Sequence, residues 1–450
     1  MTSPRPKPVI LVVIDGLTPT MLEDAVEAGR VPVLARLVEH GSYRRATSVF
    51  PSLTPVCLSS IATGAHGDVH EIPHLVWYHR GERRLVEYGS SFGAVRAAGI
   101  GQTLRDTLVN MNVQHLGKGA VTVFEALADA GLRTASVNFT AYRGRTTHRS
   151  SLPFLGDVRG PDSFFFYNLF QSERTGAPLS WRSRAAGSID AYATAVGRWL
   201  VTRDGFDFLV YYLSDYDYAS HEHGPDAAFE ALARCDDAVG ALAAAADGFD
   251  ELLDRYALVV LSDHGQTRVR DVASLGRCYA GAEGVLVTAS NRAAQVYAQH
   301  GCTLDPRQLA AVLDREPSVD VVLFREGTDA IARRRGEELR FAPGPAGWRL
   351  SGDAAILDHP DAPTRVWAAL ANPNAGDLLV SAADGWEFAD LGGRHHLGGG
   401  SHGSLLAGDS EVPLLTVGID GTARSIVDVA PLVLRHFAVE EPSYALDRAA

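Results

Sequence analysis

Residues 8–16 read PVILVVIDG, a continuous apolar run that ends in an aspartate and a glycine. A strand that is apolar at every position, and not only at alternate ones, is typical of a parallel sheet covered by helices on both faces. Similar short runs recur along the chain between longer helical patterns, which is the order expected of an α/β protein. The predicted strands cover residues 8–14, 134–139, 207–213, 257–262 and 413–418.

Helical patterns fill much of the sequence between these runs, and the Ala-rich segment 226–246 is the clearest of them. The sequence therefore predicts an α/β fold with a mostly parallel central sheet and helices on both faces. The predicted helices cover residues 18–29, 55–63, 121–131, 188–203, 226–246 and 424–437.

Two long segments do not follow this alternation. Residues 68–118 are rich in glycine, aromatic and charged residues, and we interpret them as loops or a small cap. Residues 267–400 have shorter strand patterns and polar connections, which favours an insertion or a smaller lobe. We therefore expect residues 1–266 and 401–450 together to form the α/β core.

The composition narrows the class of protein and of partner. The chain has 450 residues, of which 46% are hydrophobic and 21% charged, and its formal net charge is −13. A surface this acidic argues against a nucleic-acid partner, but a bound metal can reverse the charge locally, so a small anionic substrate remains compatible. The four cysteines show neither pairing nor CxxC spacing, which indicates a reducing compartment.

The same sequence gives no sign of a membrane or export segment. The apolar run at the N-terminus is interrupted by Asp15, and no small-residue cleavage site follows it, so we interpret it as a strand. No apolar run approaches the roughly 20 residues that span a bilayer. We expect a cytoplasmic protein with no membrane partner.

Acidic and histidine residues follow several of the predicted strands. In open α/β sheets, ligands bind outside the carboxyl ends of the strands, so such residues from separate segments meet at one edge. Each segment alone is weak evidence for a ligand-binding site, since an aspartate after a strand is often a turn residue or a helix cap. The residues that follow strands or lie on the glycine-rich loop GGGSHGS are Asp15, Asp217, His221, Asp263, His264 and His402.

Electrostatics makes metal ions the natural complement of this cluster. Two carboxylates about 4 Å apart repel by roughly 1 kcal/mol in water and about 4 kcal/mol at an effective dielectric constant of about 20. Asp15, Asp217 and Asp263 would therefore not converge without cations between them. Two divalent ions would leave the site mildly positive. Mixed aspartate and histidine ligands suit zinc, with manganese as the alternative.

A threonine between two prolines occurs in FPSLTPVCLSSIATG, residues 50–64. Pro55 suits the first position of a helix and Gly64 suits its end. Thr54 is then a good N-cap. The alternative interpretation is that its hydroxyl is presented for chemistry.

These motifs together resemble the alkaline phosphatase superfamily, and within it the nucleotide pyrophosphatase/phosphodiesterase and phosphonoacetate hydrolase branches. The first aspartate of the family falls on Asp15, and its nucleophile, ten residues before the glycine of a TG pair, falls on Thr54. The remaining three motifs occur in the family's order. They are DYASHEHGP (217–225), DHG (263–265) and HG (402–403).

The resemblance implies a set of ligands, a nucleophile and a reaction. One metal ion would be held by Asp217, His221 and His402. The other would be held by Asp15, Asp263, His264 and the oxygen of Thr54. Thr54 would attack phosphorus and form a phospho-threonine that water hydrolyses.

The substrate is less well defined by the sequence. Where many nucleotide phosphodiesterases carry an asparagine that contacts the phosphoryl oxygen, this chain has Leu75, and the neighbouring His74 is a candidate substitute. Arg143 and Arg145, in YRGRTTH, are candidates for binding a second phosphate or a carboxylate, with a surface turn as the alternative. We expect hydrolysis of a small phosphate ester, with a diester or pyrophosphate preferred. The alternatives are a phosphonate hydrolase, a phosphomonoesterase or phosphomutase, and a metal-binding protein without activity.

Overall fold

The computed structural model describes residues 5–89, 92–151, 155–167, 169–171, 188–345, 347–391 and 395–446. The strands in chain order are β1 (Val9–Ile14), β2 (Ser42–Thr47), β3 (Val76–His79), β4 (Arg84–Glu87), β5 (Thr134–Val137), β6 (Thr146–Arg149), β7 (Asp157–Gly160), β8 (Ser163–Phe166), β9 (Phe170–Gln171), β10 (Phe208–Leu213), β11 (Ala257–Leu261), β12 (Thr267–Arg268), β13 (Asp271–Ala273), β14 (Val285–Ser290), β15 (Ala293–Ala298), β16 (Val319–Glu326), β17 (Asp329–Arg334), β18 (Glu337–Gly344), β19 (Gly347–Gly352), β20 (Leu378–Ala382), β21 (Trp386–Phe388), β22 (Gly400–Ser401) and β23 (Glu411–Val417).

The α-helices in chain order are α1 (Pro19–Glu27), α2 (Pro32–His40), α3 (Thr54–Thr63), α4 (Gly67–His70), α5 (Phe92–Ala98), α6 (Ile100–Arg105), α7 (Val123–Asp129), α8 (Ser188–Val201), α9 (Asp215–His223), α10 (Phe229–Ala245), α11 (Phe249–Arg255), α12 (Pro306–Leu313), α13 (Ala362–Ala371), α14 (Ala407–Ser410), α15 (Val429–His436) and α16 (Ser443–Leu446). A π-helix covers Asp106–His115, and short 3₁₀ helices cover Leu275–Tyr279, Ala354–Leu357 and Ile426–Asp428.

A central eight-stranded sheet has the order β2-β23-β11-β1-β10-β5-β8-β9. Its middle, from β11 to β8, is parallel. β23 lies between β2 and β11 and runs antiparallel to both. All five predicted strands lie in this sheet, and the predicted α/β class with a mostly parallel sheet is confirmed.

The all-apolar sequence of β1 is explained by its position in the middle of the sheet. Val9, Leu11 and Val13 face one buried cluster, to which α3, α7 and α15 contribute. Residues 10, 12 and 14 face a second buried cluster, formed with α1, α2, α8 and α10. Both faces of the sheet are therefore covered by helices, as the strand pattern predicts.

A second sheet is formed entirely within residues 267–400. It has seven antiparallel strands in the order β14-β15-β20-β16-β17-β18-β19, with α12 and α13 packed against β16. The predicted segment 68–118 contains the β3–β4 hairpin, α5, α6 and the π-helix. The division of the chain into a core and an inserted lobe stays a prediction.

Within the described residues, no helix combines the length and the apolar character that crossing a bilayer requires.

Candidate metal and catalytic site

The acidic segments meet because the strands that precede them are neighbours. β1 lies between β10 and β11 and runs parallel to both, so all three end at the same edge of the sheet. Asp15 follows β1, Asp263 follows β11 after one serine, and Asp217 lies in the first turn of α9, just after β10. The Asp15 N–H donates to Leu213 O at 2.9 Å, which ties the end of β1 to β10.

The close packing of the three carboxylates requires a glycine directly after Asp15. The φ of Gly16 is +73°, and a Cβ here would lie 2.7 Å from both Asp217 Oδ1 and Gln266 Nε2. Its N–H donates to Asp263 Oδ1 at 3.3 Å. A residue without a side chain is therefore needed for the three carboxylates to approach one another.

Asp15, Asp263 and His264 form the first of two groups of candidate metal ligands, with ligand atoms that all lie within 4.8 Å of one another. His264 Nε2 is 3.2 Å from Asp15 Oδ1 and 3.5 Å from Asp263 Oδ2. Thr54 Oγ1 is 3.1 Å from the same nitrogen. The structure thus brings together one of the two predicted ligand sets.

Asp217, His264 and His402 form the second group, also within 4.8 Å. The rings of His264 and His402 stack with centroids 3.6 Å apart. His221 joins this group, since its Nε2 is 3.2 Å from Asp217 Oδ2. The other predicted set is therefore also assembled, but His264 lies between the two groups, which the sequence interpretation did not expect.

The three histidines are oriented in the same way. A main-chain carbonyl accepts from Nδ1–H in each ring, so that Nε2 faces the cluster and is the nitrogen available to a metal ion. The pairs are His221 with Gly400 O at 2.7 Å, His264 with Gly265 O at 3.0 Å, and His402 with Ser52 O at 2.8 Å.

Two buried carboxylate oxygens in the cluster accept no hydrogen bond from any described residue. They are Asp15 Oδ1 and Asp263 Oδ2. Asp15 Oδ2, in contrast, accepts from the Tyr212 hydroxyl. Buried carboxylate oxygens of this kind need a positive partner. With three imidazole nitrogens beside them, they match the ligand set of zinc or manganese.

The protonation of the cluster reflects burial and crowding of like charges. Burial and the charge of Asp217 raise the pKa of Asp15, and burial and the charge of Asp15 raise the pKa of Asp263 well above its usual value. Burial lowers the pKa of His264, but the neighbouring carboxylates have the larger effect and raise this pKa to about 10. Burial raises the pKa of Asp217, but the neighbouring His221 has the larger effect and holds this pKa below its usual value. The cluster retains positive charge to offset its carboxylates, which is the role a cation would take over.

Thr54 is not an N-cap. The cap of α3 is Leu53, whose side chain makes no cap hydrogen bond, and Thr54 is the first helical residue. It is partly exposed while the rest of α3 is buried, and its hydroxyl lies against His264. The capping interpretation is therefore wrong, and the hydroxyl is presented to the cluster.

The first turn of α3 has little capacity to bind an anion through its main chain. The N–H groups of Val56 and Cys57 both donate to Leu53 O, at 2.9 and 3.0 Å, and Pro55 has no N–H. The turn therefore offers a ligand at most the N–H of Thr54. Other donors are needed for the oxygens of an anionic substrate.

Arg143 and Arg145 bind acidic residues of α7 instead of the cluster. Arg143 Nε donates to Glu125 Oε2 at 3.1 Å, and another guanidinium nitrogen donates to Leu116 O at 3.0 Å. Arg145 donates to Glu125 Oε1 and Asp129 Oδ1, at 2.7 and 2.9 Å. In this structure their donors are engaged in holding a loop to α7, and the role of both arginines in substrate binding stays a prediction.

His74 is fully buried, and burial lowers its pKa to about 4. Its Nδ1 accepts from the Val76 N–H at 3.2 Å, and its Nε2 has no partner among the described residues. The ring is therefore neutral. Its role in substrate binding stays a prediction.

Several residues around the cluster were not found from the sequence. Tyr212 lies in β10, where it reads as one more apolar strand residue. Gln266, which donates to Asp217 Oδ1, follows the DHG motif directly, and its position was the only available signal. Asn291 Nδ2 lies 2.9 Å from His402 Nε2, and no pattern in the sequence points to it.

His396 lies in the segment that precedes His402. Its ring stacks on His221 with centroids 4.0 Å apart, and its Nδ1 lies 2.7 Å from the buried Glu387 Oε1. Glu387 also accepts from Ser401 Oγ at 3.0 Å. The loop before His402 is therefore held against the α9 side of the cluster.

Known structures share this fold along nearly the whole chain. Phosphonoacetate hydrolase from Sinorhizobium meliloti 1021, in complex with phosphonoformate, superposes with a TM-score of 0.66 at 21% identity, over 97% of this chain and 96% of that one. Murine ectonucleotide pyrophosphatase/phosphodiesterase 5 has a TM-score of 0.60 at 14% identity, over 97% and 96% of the two chains. The human protein of the same name has a TM-score of 0.61 at 14% identity, with 96% of each chain covered.

The family assignment comes from the sequence match. The family model for type I phosphodiesterase/nucleotide pyrophosphatase matches residues 9–405, which include β1 and all the predicted ligands. This confirms the resemblance drawn from the five motifs. The chain belongs to the type I phosphodiesterase/nucleotide pyrophosphatase family.

Proposed function

We propose that this protein is a two-metal hydrolase of phosphate esters that uses Thr54 as its nucleophile. Membership of the family supports a hydrolase of phosphoester or phosphonate type. The observation that carries the proposal of a threonine nucleophile is the position of the Thr54 hydroxyl, 3.1 Å from His264 Nε2. Two buried carboxylate oxygens of the same cluster accept no hydrogen bond from the described residues. A hydroxyl in that position would share a cation with the carboxylates.

The residues divide into two candidate sites. Asp15, Asp263 and His264 would hold one divalent ion next to Thr54. The other would be held by the predicted set, Asp217, His221 and His402. Two divalent cations in these positions would lower the pKa of the Thr54 hydroxyl and stabilise negative charge on the phosphoryl oxygens.

Neighbouring side chains and main-chain carbonyl groups orient the candidate metal ligands. Tyr212 donates to Asp15 Oδ2 and so directs Oδ1 of that carboxylate into the cluster. Gln266 does the same for Asp217 through Oδ1, and is itself held by Ser220 Oγ at 2.7 Å. The carbonyl groups bonded to each Nδ1 keep the imidazoles directed inwards. Such partners are expected to raise metal affinity and fix geometry.

The reaction then proceeds in two displacements. In the first, a bond forms between Thr54 Oγ1 and phosphorus while the bond from phosphorus to the leaving oxygen breaks, and the leaving group takes up a proton. In the second, water attacks phosphorus and the bond to Thr54 Oγ1 breaks. The hydroxyl of Thr54 is regenerated, and the phosphate product is released.

A singly charged substrate fits this cluster better than a dianion. Within the described part of the chain, no arginine or lysine forms an ion pair with Asp15, Asp217 or Asp263. Arg143 and Arg145 are engaged by Glu125 and Asp129. Among the described residues, the positive charge available to a substrate is therefore that of the two cations. We infer a preference for phosphodiesters or pyrophosphate bonds over phosphomonoesters.

The nucleophile is tested by Thr54→Ala and Thr54→Ser in the zinc-loaded protein. The alanine variant should keep its two metal ions and its fold, since Thr54 makes no cap hydrogen bond, while kcat falls by at least about 10³-fold. The serine variant should retain part of the activity. Thr63→Ala, which removes a hydroxyl at the other end of α3, is the matched control and should leave kcat unchanged. Near-normal turnover in Thr54→Ala would contradict the proposal.

A further inference from the structure

Asn291 brings an amide from the second sheet to the metal-ligand cluster. It occupies the tight turn between β14 and β15, and its Nδ2 lies 2.9 Å from His402 Nε2. The two residues are separated by 111 positions in sequence. Asn291 is partly exposed, whereas the ligands it touches are buried, so its amide borders the space that a ligand would enter.

The orientation of this amide is fixed. Ser290 Oγ donates to Asn291 Oδ1 at 3.1 Å, so the oxygen faces away and the NH₂ group faces His402. The φ of Asn291 is +56°, a conformation that asparagine and glycine tolerate best. The Phe388 N–H donates to its carbonyl at 2.8 Å. The turn is therefore shaped to present a donor, and not an acceptor, to the cluster.

Arg292 anchors the turn to the loops that carry the ligands. Its side chain is fully buried, and its Nε donates to Asp409 Oδ2 at 2.9 Å. Its N–H donates to His402 O at 2.8 Å. Asp409 also accepts from the Ser404 N–H at 2.8 Å. Asn291 and His402 are thus held in a fixed relation by adjacent main-chain and side-chain bonds.

One lone pair cannot serve two partners. The Nδ1 of His402 faces Ser52 O at 2.8 Å, so Nε2 carries the only lone pair of the ring, and Asn291 donates to it. A metal ion held by His402 would take that lone pair and release the amide. The released NH₂ group would then lie beside the cation, where an oxygen of an anion bound to that cation is the acceptor within reach.

We propose that Asn291 is a substrate-binding residue, whose side-chain amide donates to a non-bridging oxygen of the phosphoryl group. This inference rests on the proposed function. It also supplies a donor where the first turn of α3 supplies at most one, because the N–H groups of Val56 and Cys57 are already bonded to Leu53. The alternative is that Asn291 acts only on His402 and helps it to hold the metal.

Binding of inorganic phosphate to the zinc-loaded full-length protein separates these roles. Asn291→Gly removes the amide but keeps a residue that tolerates positive φ. Arg335→Gly is the matched control, because Arg335 also has positive φ, at +52°, in the exposed β17–β18 turn of the same sheet. Phosphate affinity would be measured by calorimetry, zinc content by metal analysis, and zinc affinity by competition with a chelator.

The expected result is a loss of phosphate affinity without a loss of metal. A hydrogen bond to a charged group corresponds to about 10- to 100-fold in affinity, so Asn291→Gly should weaken phosphate binding by that factor and leave two zinc ions bound. Its zinc affinity should be unchanged or higher, because a competitor for His402 Nε2 is gone. Arg335→Gly should bind both ligands as the wild type does.

Two results would overturn the inference. Equal phosphate affinity in Asn291→Gly and wild type would show that the amide does not contact the phosphoryl group. Reduced zinc affinity in the variant would show that the amide acts on His402 and the metal. If the wild type itself bound neither zinc nor phosphate, the proposed function would fail, which is a different outcome from either of these.

Discussion

The buried pair of Arg292 and Asp409 connects the second sheet to the ligand loops, and it allows a quantitative test. Both side chains are fully buried, and Nε and Oδ2 are 2.9 Å apart. The carboxylate also accepts from Ser404 Oγ at 2.6 Å and from Thr267 Oγ1. Asp409 therefore holds three segments together: the turn of Asn291, the loop after His402, and the loop after His264.

The perturbation is Asp409→Asn, which keeps the size of the side chain and removes its charge. It leaves the guanidinium group of Arg292 buried without its counterion, a change that costs about 3–5 kcal/mol. For a chain of this length, unfolding entropy corresponds to about 1 kcal/mol per degree, so Tm should fall by roughly 3–5 °C. Zinc affinity should fall as well, because the loops after His264 and His402 lose a common anchor.

The assay is thermal unfolding of the metal-free protein, followed by chelator competition with zinc. Asp384→Asn is the control, since Asp384 pairs with Arg270 at 3.1 Å on the surface, where the side chains are 61% and 70% exposed. Such pairs contribute less than about 1 kcal/mol. A Tm of Asp409→Asn equal to that of the control, or an unchanged zinc affinity, would refute the reasoning.

Three further predictions concern metals, substrate charge and pH. Asp263→Ala should lose metal and activity together, as measured by metal analysis and turnover, whereas full activity in metal-free protein would contradict the two-metal proposal. Aryl phosphodiesters should be hydrolysed with higher kcat/KM than the matching monoesters, and Arg143→Ala should lower Tm through the loss of its bond to Glu125 without changing that preference. Burial lowers the pKa of His70 in the folded protein to about 3, so the imidazole takes up a proton at higher pH in the unfolded chain than in the folded one. The free energy of unfolding should therefore fall as the pH drops from about 6.5 towards 3. His70→Asn keeps an acceptor for the Ile72 N–H. It should reduce the pH dependence of the free energy of unfolding by up to about 1.4 kcal/mol per pH unit, as measured by denaturation at several pH values. An unchanged slope would exclude His70 as the source of that dependence.

The sequence alone was enough to predict the central sheet and most of the cluster. Strands that are apolar at every position identify a sheet covered on both faces, and β1, β10 and β11 are such strands. Residues that directly follow neighbouring parallel strands must meet, because parallel pairing brings the carboxyl ends together. That rule placed Asp15, Asp217 and Asp263 together with the histidines near them. The family motifs added the division into two ligand sets and the role of Thr54 as nucleophile.

The tertiary structure decided the contacts that depend on packing between distant segments. The sequence could not show that the arginines of YRGRTTH bind α7, because their partners are set by how the loop lies on that helix. It gave no signal for Asn291, whose amide reaches His402 only because the second sheet is anchored there through Arg292. Local patterns indicate burial and secondary structure, because the direction of the side chains repeats with the geometry of the main chain. A contact across 111 residues is encoded by no local pattern, and only the packed structure determines it.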